Sequence, residues 1–203
     1  NIFKKEQKSY TLFNIQYAQY TKLSADFRFY NIINEKNSIV YRTMIGYGIP
    51  YGNLVVLPFE KSFFSGGANS VRAWKLRSLG PGSYSAVGGA FDRTGDINIE
   101  ANIEYRFPLY GVLQGAAFVD AGNVWLKNES ADFIGGKFDF DNFLGEIAVG
   151  AGLGARLDFS FFIIRLDAAV PMKDPGKIKS ERWVLEKAQL KDINFNLGIG
   201  YPF

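Results

Sequence analysis

The chain has 203 residues, 23 Lys and Arg against 20 Asp and Glu, a formal charge of +3, no cysteine and no histidine. Those absences exclude disulfide frameworks, thiolate zinc sites and thiol nucleophiles, and they remove the commonest general base and metal ligand. The basic residues are scattered instead of forming the one-sided patch that nucleic acid requires. At 47% apolar with 16% aromatic residues, the chain is too rich for intrinsic disorder.

No run of about 18 apolar residues is present, so no transmembrane helix is expected; the densest stretch, FSFFII at 159–164, is too short. The chain opens on Asn1 with neither methionine nor a secretory signal, and it reads as a mature protein or, by preference, a piece of a longer one. Residues 1–20 read as a preceding loop or linker, and 21–203 as one all-β unit.

From Lys22, KLSADFRFY puts Lys22, Ser24, Asp26 and Arg28 on one side and Leu23, Ala25, Phe27 and Phe29 on the other. SIVYRTMIGYGI (38–49) sets Ile39, Tyr41, Thr43, Ile45, Tyr47 and Ile49 against Ser38, Arg42, Gly46 and Gly48. A long polar connection over about 50–95 follows. DINIEANIEYRF (96–107) then alternates without a slip, from Asp96 and Ile97 to Arg106 and Phe107. VLQGAAFVDAG (112–122) sends Leu113, Ala117 and Val119 one way and Gln114, Phe118 and Asp120 the other. EIAVGAGLGARLD (146–158), FFIIRLDAAV (161–170) and DINFNLGIGYPF (192–203) continue the pattern, which makes about seven strands of period two.

The connections alternate short and long. RFPLYGV and LDFSFF leave only tight hairpins, whereas 50–95, 123–143 and 171–191 are long and polar. Outer-membrane barrels have this asymmetry. Twelve residues rising about 3.3 Å each and tilted near 45° project to about 28 Å, close to a bilayer's hydrocarbon thickness of about 30 Å. Globular strands are usually about half that length. A soluble antiparallel sheet would alternate in the same way, but it explains neither the strand length nor the one-sided long loops. The apolar faces are therefore expected to meet lipid and the polar faces a watery lumen. Antiparallel closure needs an even strand number and open edges in lipid are costly, so the remaining strands are expected upstream.

GAGLGA (150–155) fits the dinucleotide fingerprint G-x-G-x-x-G/A, with Asp167 at a tempting distance. The mechanism needs a helix next, but RLDFSFFIIRLDAAV alternates by two, so these glycines are assigned to a strand. GGANSVRAWKLRSLGPGSY (66–84) is glycine-rich and basic but lacks the G-K-[ST] ending of a phosphate loop. Its Val71, Trp74 and Leu76 point to packing.

FFSGGANSVRAWKLRSLGPGS resembles the inward-folded loop of the BamA/TamA superfamily of outer-membrane protein assembly factors, whose hallmark is Val-Arg-Gly-aromatic. Val71, Arg72 and Trp74 match it; Ala73 departs from the glycine. FVDAGNVW (118–125) resembles the family's Phe-x-Asp-Ala-Gly-Asn-Val-Trp strand motif over its whole length. The resemblance runs from about Lys22 to Phe203 and implies an antiparallel transmembrane β-barrel of which this chain holds about the last seven of sixteen strands. It also implies that Arg72 meets acidic residues on the next two strands, here Glu104 and Asp120, both already assigned to the polar face. The closing NLGIGYPF resembles a C-terminal β-signal, carried by Asn196, Gly198, Tyr201 and Phe203. Its terminal aromatic suits an interfacial girdle.

What the resemblance implies is an integral protein of the bacterial outer membrane that assembles or inserts other barrels at a lateral seam, with no covalent chemistry, no cofactor and no metal. Its implied partners are the lipid bilayer, unfolded outer-membrane clients, accessory envelope proteins and the missing N-terminal half of the same barrel. A two-partner-secretion translocator, or a barrel anchoring an upstream enzyme such as a patatin-like lipase, would share these features. A passive porin would lack the arginine loop.

Overall fold

Strict alternation gives each strand two unlike faces, because successive side chains point to opposite sides of a pleated ribbon. In the computed structural model, which describes residues 9–85 and 93–203, those ribbons form one curved antiparallel sheet. A short ladder of β1 (Thr11–Leu12) with β2 (Ile15–Gln16) precedes it. The sheet comprises β3 (Gln19–Asn34), β4 (Asn37–Tyr51), β5 (Ile97–Tyr110), β6 (Leu113–Trp125), β7 (Ala148–Asp158), β8 (Ile163–Lys173) and β9 (Asn194–Ile199). Each pairs with its neighbours in sequence, so the sheet is a seven-stranded meander, open, with β3 and β9 as its edges.

Several boundaries differ from the sequence reading. The β1–β2 ladder and the start of β3 at Gln19 fall inside the stretch read as a linker. Residues 1–8 of that stretch, and 86–92 of the long connection, lie outside the described residues. The last strand is β9, Asn194–Ile199, and not 192–203. Leu190–Asp192 is instead a 3₁₀ turn closed by a capping box between Gln189 and Asp192, and Gly200 at φ +84° takes the chain out of the ladder. A left-handed residue cannot continue a strand, and glycine is the residue that adopts one without strain.

Burial runs opposite to that of a water-soluble sheet. On β5 and the residue before it, Asp96, Asn98, Glu100, Asn102, Glu104 and Arg106 are buried, while Ile103 is 49% and Tyr105 38% exposed. The same inversion holds on β6, where Asp120 and Phe118 are buried and Val119 is exposed, and on β8, where Arg165 and Asp167 are buried and Leu166 is exposed. Apolar side chains left outside are stable only where the surroundings are themselves apolar.

Among the described residues no helix is long and apolar enough to cross a membrane. The eleven residues of β7 or β8 project about 26 Å at a 45° tilt, enough for most of the hydrocarbon layer. The short connections cluster at one end of the sheet, where Tyr110, Phe159, Phe161 and Phe162 stand exposed and Phe159 stacks on Phe162 at 5.0 Å. That is the aromatic belt expected at a membrane interface.

Ile103 lies midway along β5 on the apolar face. Ile103→Arg in the folded parent barrel should cost about 2–4 kcal/mol, the cost of a cation at the bilayer midplane. Urea titration in phospholipid vesicles measures it, and a loss below a few tenths would mean that this face is not in lipid.

Candidate functional site

Between β4 and β5 the chain turns back over the lumen face of the sheet. Two glycines on β4 make room for it: a Cβ on Gly46 would lie 2.4 Å from the Phe63 ring, and one on Gly48 2.3 Å from Leu57 Cδ1. Phe63 then bridges Gly95, and Ser65 bridges Leu79, which closes the loop into a narrow excursion. Gly66 and Gly67, at φ +96° and +89°, turn its tip, and the Gly67 amide donates to the Trp74 carbonyl at 2.8 Å. Arg72 sits near this tip, fully buried.

Its guanidinium meets Asp120 side-on. Nε donates to Asp120 Oδ2 at 2.8 Å and Nη2 to Oδ1 at 2.9 Å, while the Arg72 amide adds a third bond to Oδ2 at 3.0 Å. Nη1 donates to Glu104 Oε2 and lies 3.6 Å from Asp167 Oδ2. The planar fork suits such a bidentate, charge-assisted contact, and its face lies 3.3 Å from the Phe118 ring centroid. Burial alone would lower the pKa of Arg72; hydrogen bonding and charge from Asp120, then Glu104 and Asp167, outweigh it and hold the group above the ordinary arginine value.

The structure thus brings Arg72, Glu104 and Asp120 together, and it adds residues that sequence reasoning did not assign. Glu104 also accepts from Arg156 Nη2 at 3.0 Å and, on Oε1, from Arg106 Nε at 2.8 Å. Asp167 accepts from Arg156 Nη1 at 2.6 Å and Arg165 Nη1 at 2.9 Å. Arg156 and Arg165 are cross-strand neighbours, a pairing of like charges that Asp167 offsets. Arg165 also reaches the loop, donating to the Ala68 carbonyl at 2.8 Å and to Asn69 Oδ1. Beside them Asn102 spans the Ser70 carbonyl and Asp120 Oδ1, at 3.0 and 2.8 Å, and Ser70 Oγ donates to Glu100. Alternation placed Glu100, Asn102, Arg106 and Arg156 on the polar face, and Arg165 and Asp167 share that face in the structure. What it lacked was the register that joins them.

The glycines of GAGLGA lie in β7 and clear space on the same face. A Cβ on Gly150 would come 2.4 Å from Ala73 Cβ; one on Gly152 would meet Phe118 Cζ at 2.4 Å. On Gly154 it would strike Arg156 Nη1 at 1.9 Å and Asp167 Oδ1 at 2.1 Å. Ala73, where the resembled motif has glycine, is not among the residues at positive φ, and its methyl sits in the gap that Gly150 leaves. Trp74 packs against both Val71–Leu79–Ala148 and Ala73–Phe118–Ala169. Leu76, expected to pack, is 62% exposed.

The terminal octet divides. Asn196 donates from Nδ2 to the Arg72 carbonyl at 2.9 Å, and Gly198 lies under Arg165, whose Nε would be 2.7 Å from a Cβ there. Tyr201 covers Arg106, with Cζ 4.0 Å from its ring, and its hydroxyl donates to Gln114 Oε1 at 3.2 Å. Phe203 is not in an outer aromatic girdle. It is 5% exposed, with its carbonyl accepting from Arg106 Nη2 at 3.2 Å and its ring 5.4 Å from the Arg72 guanidinium. The turn at Gly200 breaks the alternation that would have sent it outward.

Among the described residues no cluster of three or more Asp, Glu, His or Cys could hold a metal. The carboxylates here are consumed by arginines. What the arrangement does chemically is join a loop to a wall.

The Omp85 superfamily domain model matches residues 7–203. Outer membrane protein assembly factor BamA of Neisseria meningitidis serogroup B (strain ATCC BAA-335 / MC58) is 31% identical over 86 residues, 40% of this chain and 11% of that protein. The crystal structure of BamA from Haemophilus ducreyi lacking POTRA domains 1-3 superposes with a TM-score of 0.60 at 19% identity, over 89% of this chain and 34% of that one. The chain thus spans about a ninth of the curated relative and a third of the solved one.

Two substitutions test the seat. Arg72→Ala strips a cation from three carboxylates and should cost about 3–5 kcal/mol, as removal of one member of a buried ion pair does. The folded parent barrel should then be cut faster between 66 and 80 by added protease; unchanged digestion would mean that other contacts seat the loop. Gly154→Ala drives a methyl into the Arg156–Asp167 contact and should cost about 1–3 kcal/mol in denaturant titration, the usual range for overpacking.

Proposed function

The chain belongs to the Omp85 superfamily and forms part of an outer-membrane β-barrel, and we propose that its parent inserts other barrel proteins into that membrane through a lateral seam. The observation that carries this reading is the arginine-anchored loop that occupies the lumen face. A barrel filled in this way is poorly suited to passive conduction. Its reactive feature is the strand edge, where unpaired N–H and C=O groups can template an incoming strand by β-augmentation. The segment 192–203, with β9 at its centre, forms one lip of the seam, and the other lip belongs to the upstream part of the barrel. Arg72, Glu104 and Asp120 form the pin that keeps the loop inside. Unfolded barrel proteins are the clients, accessory envelope proteins assist, and no covalent step is involved.

Polypeptide translocation is the second reading at the same family level. It would pass an extended chain through the lumen, so the loop would have to leave. Depletion of the parent protein in the bacterium separates the two. Insertion predicts that folded levels of many unrelated barrel proteins fall together, as measured by quantitative proteomics of the outer membrane. Normal levels, with loss of one secreted polypeptide or one surface enzyme activity, would overturn it in favour of the translocator or the anchor.

A further inference from the structure

Asn194 and Asn196 stand two residues apart on β9 and so project from the same face of the strand. Each donates its Nδ2 to one atom, the main-chain carbonyl oxygen of Arg72, at 2.8 and 2.9 Å. A carbonyl oxygen has two lone pairs, and the two carboxamides occupy both. Arg72 is thereby held by two strands: β6 takes its amide and guanidinium through Asp120, and β9 takes its carbonyl. The residue type matters here. Aspartate would have the same outline but would set an acceptor against an acceptor, and its charge would compete for the guanidinium that Asp120 holds.

This grip falls on the least secured strand of the sheet. β9 pairs with β8 at six positions, against ten for β8 with β7. The same strand continues into a second contact with the cluster, where Arg106 binds the Phe203 carbonyl while sharing Glu104 with Arg72. Side-chain bonds thus make up a large share of what orders β9.

We propose that Asn194 and Asn196 are positioning residues that fasten the last strand to the seated loop, so that withdrawal of the loop from the lumen and loosening of β9 are one event. The functional meaning of that coupling rests on the reading of this segment as a lip of the seam.

The test uses the full parent protein folded in lipid, with hydrogen exchange of peptides covering 194–203 and protease cleavage within 66–80 read on the same samples. Asn194→Ala with Asn196→Ala should speed exchange in β9 about tenfold, the scale of one to two net hydrogen bonds. Loop cleavage should stay near the native rate, since Asp120 and Glu104 still hold the guanidinium. Asn194→Asp with Asn196→Asp should speed exchange in β9 at least as much, because the donors are lost with the shape kept and two acceptors then face the carbonyl. Arg72→Ala should raise both readouts together. Native exchange in β9 in either asparagine pair would overturn the tether. So would a released loop in Arg72→Ala beside an unaltered β9, a measurement that remains decisive if the asparagine variants do not fold. Insertion of an unfolded barrel client into vesicles by the same variants judges the seam separately: a loosened β9 with unchanged insertion leaves the tether standing and overturns the seam reading.

Discussion

Glu104 is the point through which the interior is connected. One oxygen takes Arg72 from the loop and Arg156 from β7, and the other takes Arg106 from its own strand. A barrel whose outer face is apolar can gain little by burying apolar surface inside, because lipid already receives those side chains. The lumen must therefore be organised by polar contacts, and each buried charge there needs a partner or it becomes a liability. Buried ion pairs are seldom better than well-packed apolar groups in net stability, but breaking one is expensive. Such a cluster has more effect on which arrangement is adopted than on how stable the arrangement is. Here it fixes the depth and rotation of the loop through bidentate bonds to Asp120 and a shared Glu104.

Packing makes that pose tighter. The guanidinium takes Asp120 along its edge and lays its face on the Phe118 ring, and Phe118 in turn needs the missing side chain of Gly152. One residue along, Ala73 fits against Gly150, so loop and wall exchange a methyl for a hydrogen. The period-two spacing of Gly150, Gly152 and Gly154 places all three gaps on one face of β7, where they receive Ala73 of the loop, the Phe118 ring and the Arg156–Asp167 contact. A motif that looks like a nucleotide fingerprint is thus a row of recesses, and the cause is steric.

Much of this was legible in the sequence, and the residues show where legibility stopped. Alternation alone put Glu104 on β5 and Asp120 on β6 inside, because faces are fixed by parity. It did the same for Arg156, although which cations and anions meet depends on register. A slip of one residue exchanges the faces and is detectable in the pattern; a slip of two keeps the faces and changes every partner. Gly154 opposite Asp167, and Arg156 opposite Arg165, are facts of that second kind. Arg72 lies in a loop, where no period exists, and only likeness to a known motif singled it out. Phe203 was misplaced because parity was extended past Gly200. Phe195, Leu197 and Ile199 do point outward, but a left-handed residue ends the strand geometry on which the extrapolation relied.

The two edges of the open sheet differ in a way that bears on the seam reading. β3 has sixteen residues and pairs with β4 along nearly its whole length. β9 has six, too few to span the hydrocarbon layer at any tilt, and its ladder ends where Gly200 turns the chain inward. An edge of that kind is weakly held by its backbone, and unpaired edges invite foreign strands. A seam that must both resist stray pairing and admit a client cannot rely on ladder bonds alone, since those are what the client replaces. Contacts made from the lumen face do not share that weakness: they bind the strand without occupying its edge. On the proposed reading the polar interior and the short last strand are parts of one solution, in which the edge stays available while the strand that bears it is governed from inside.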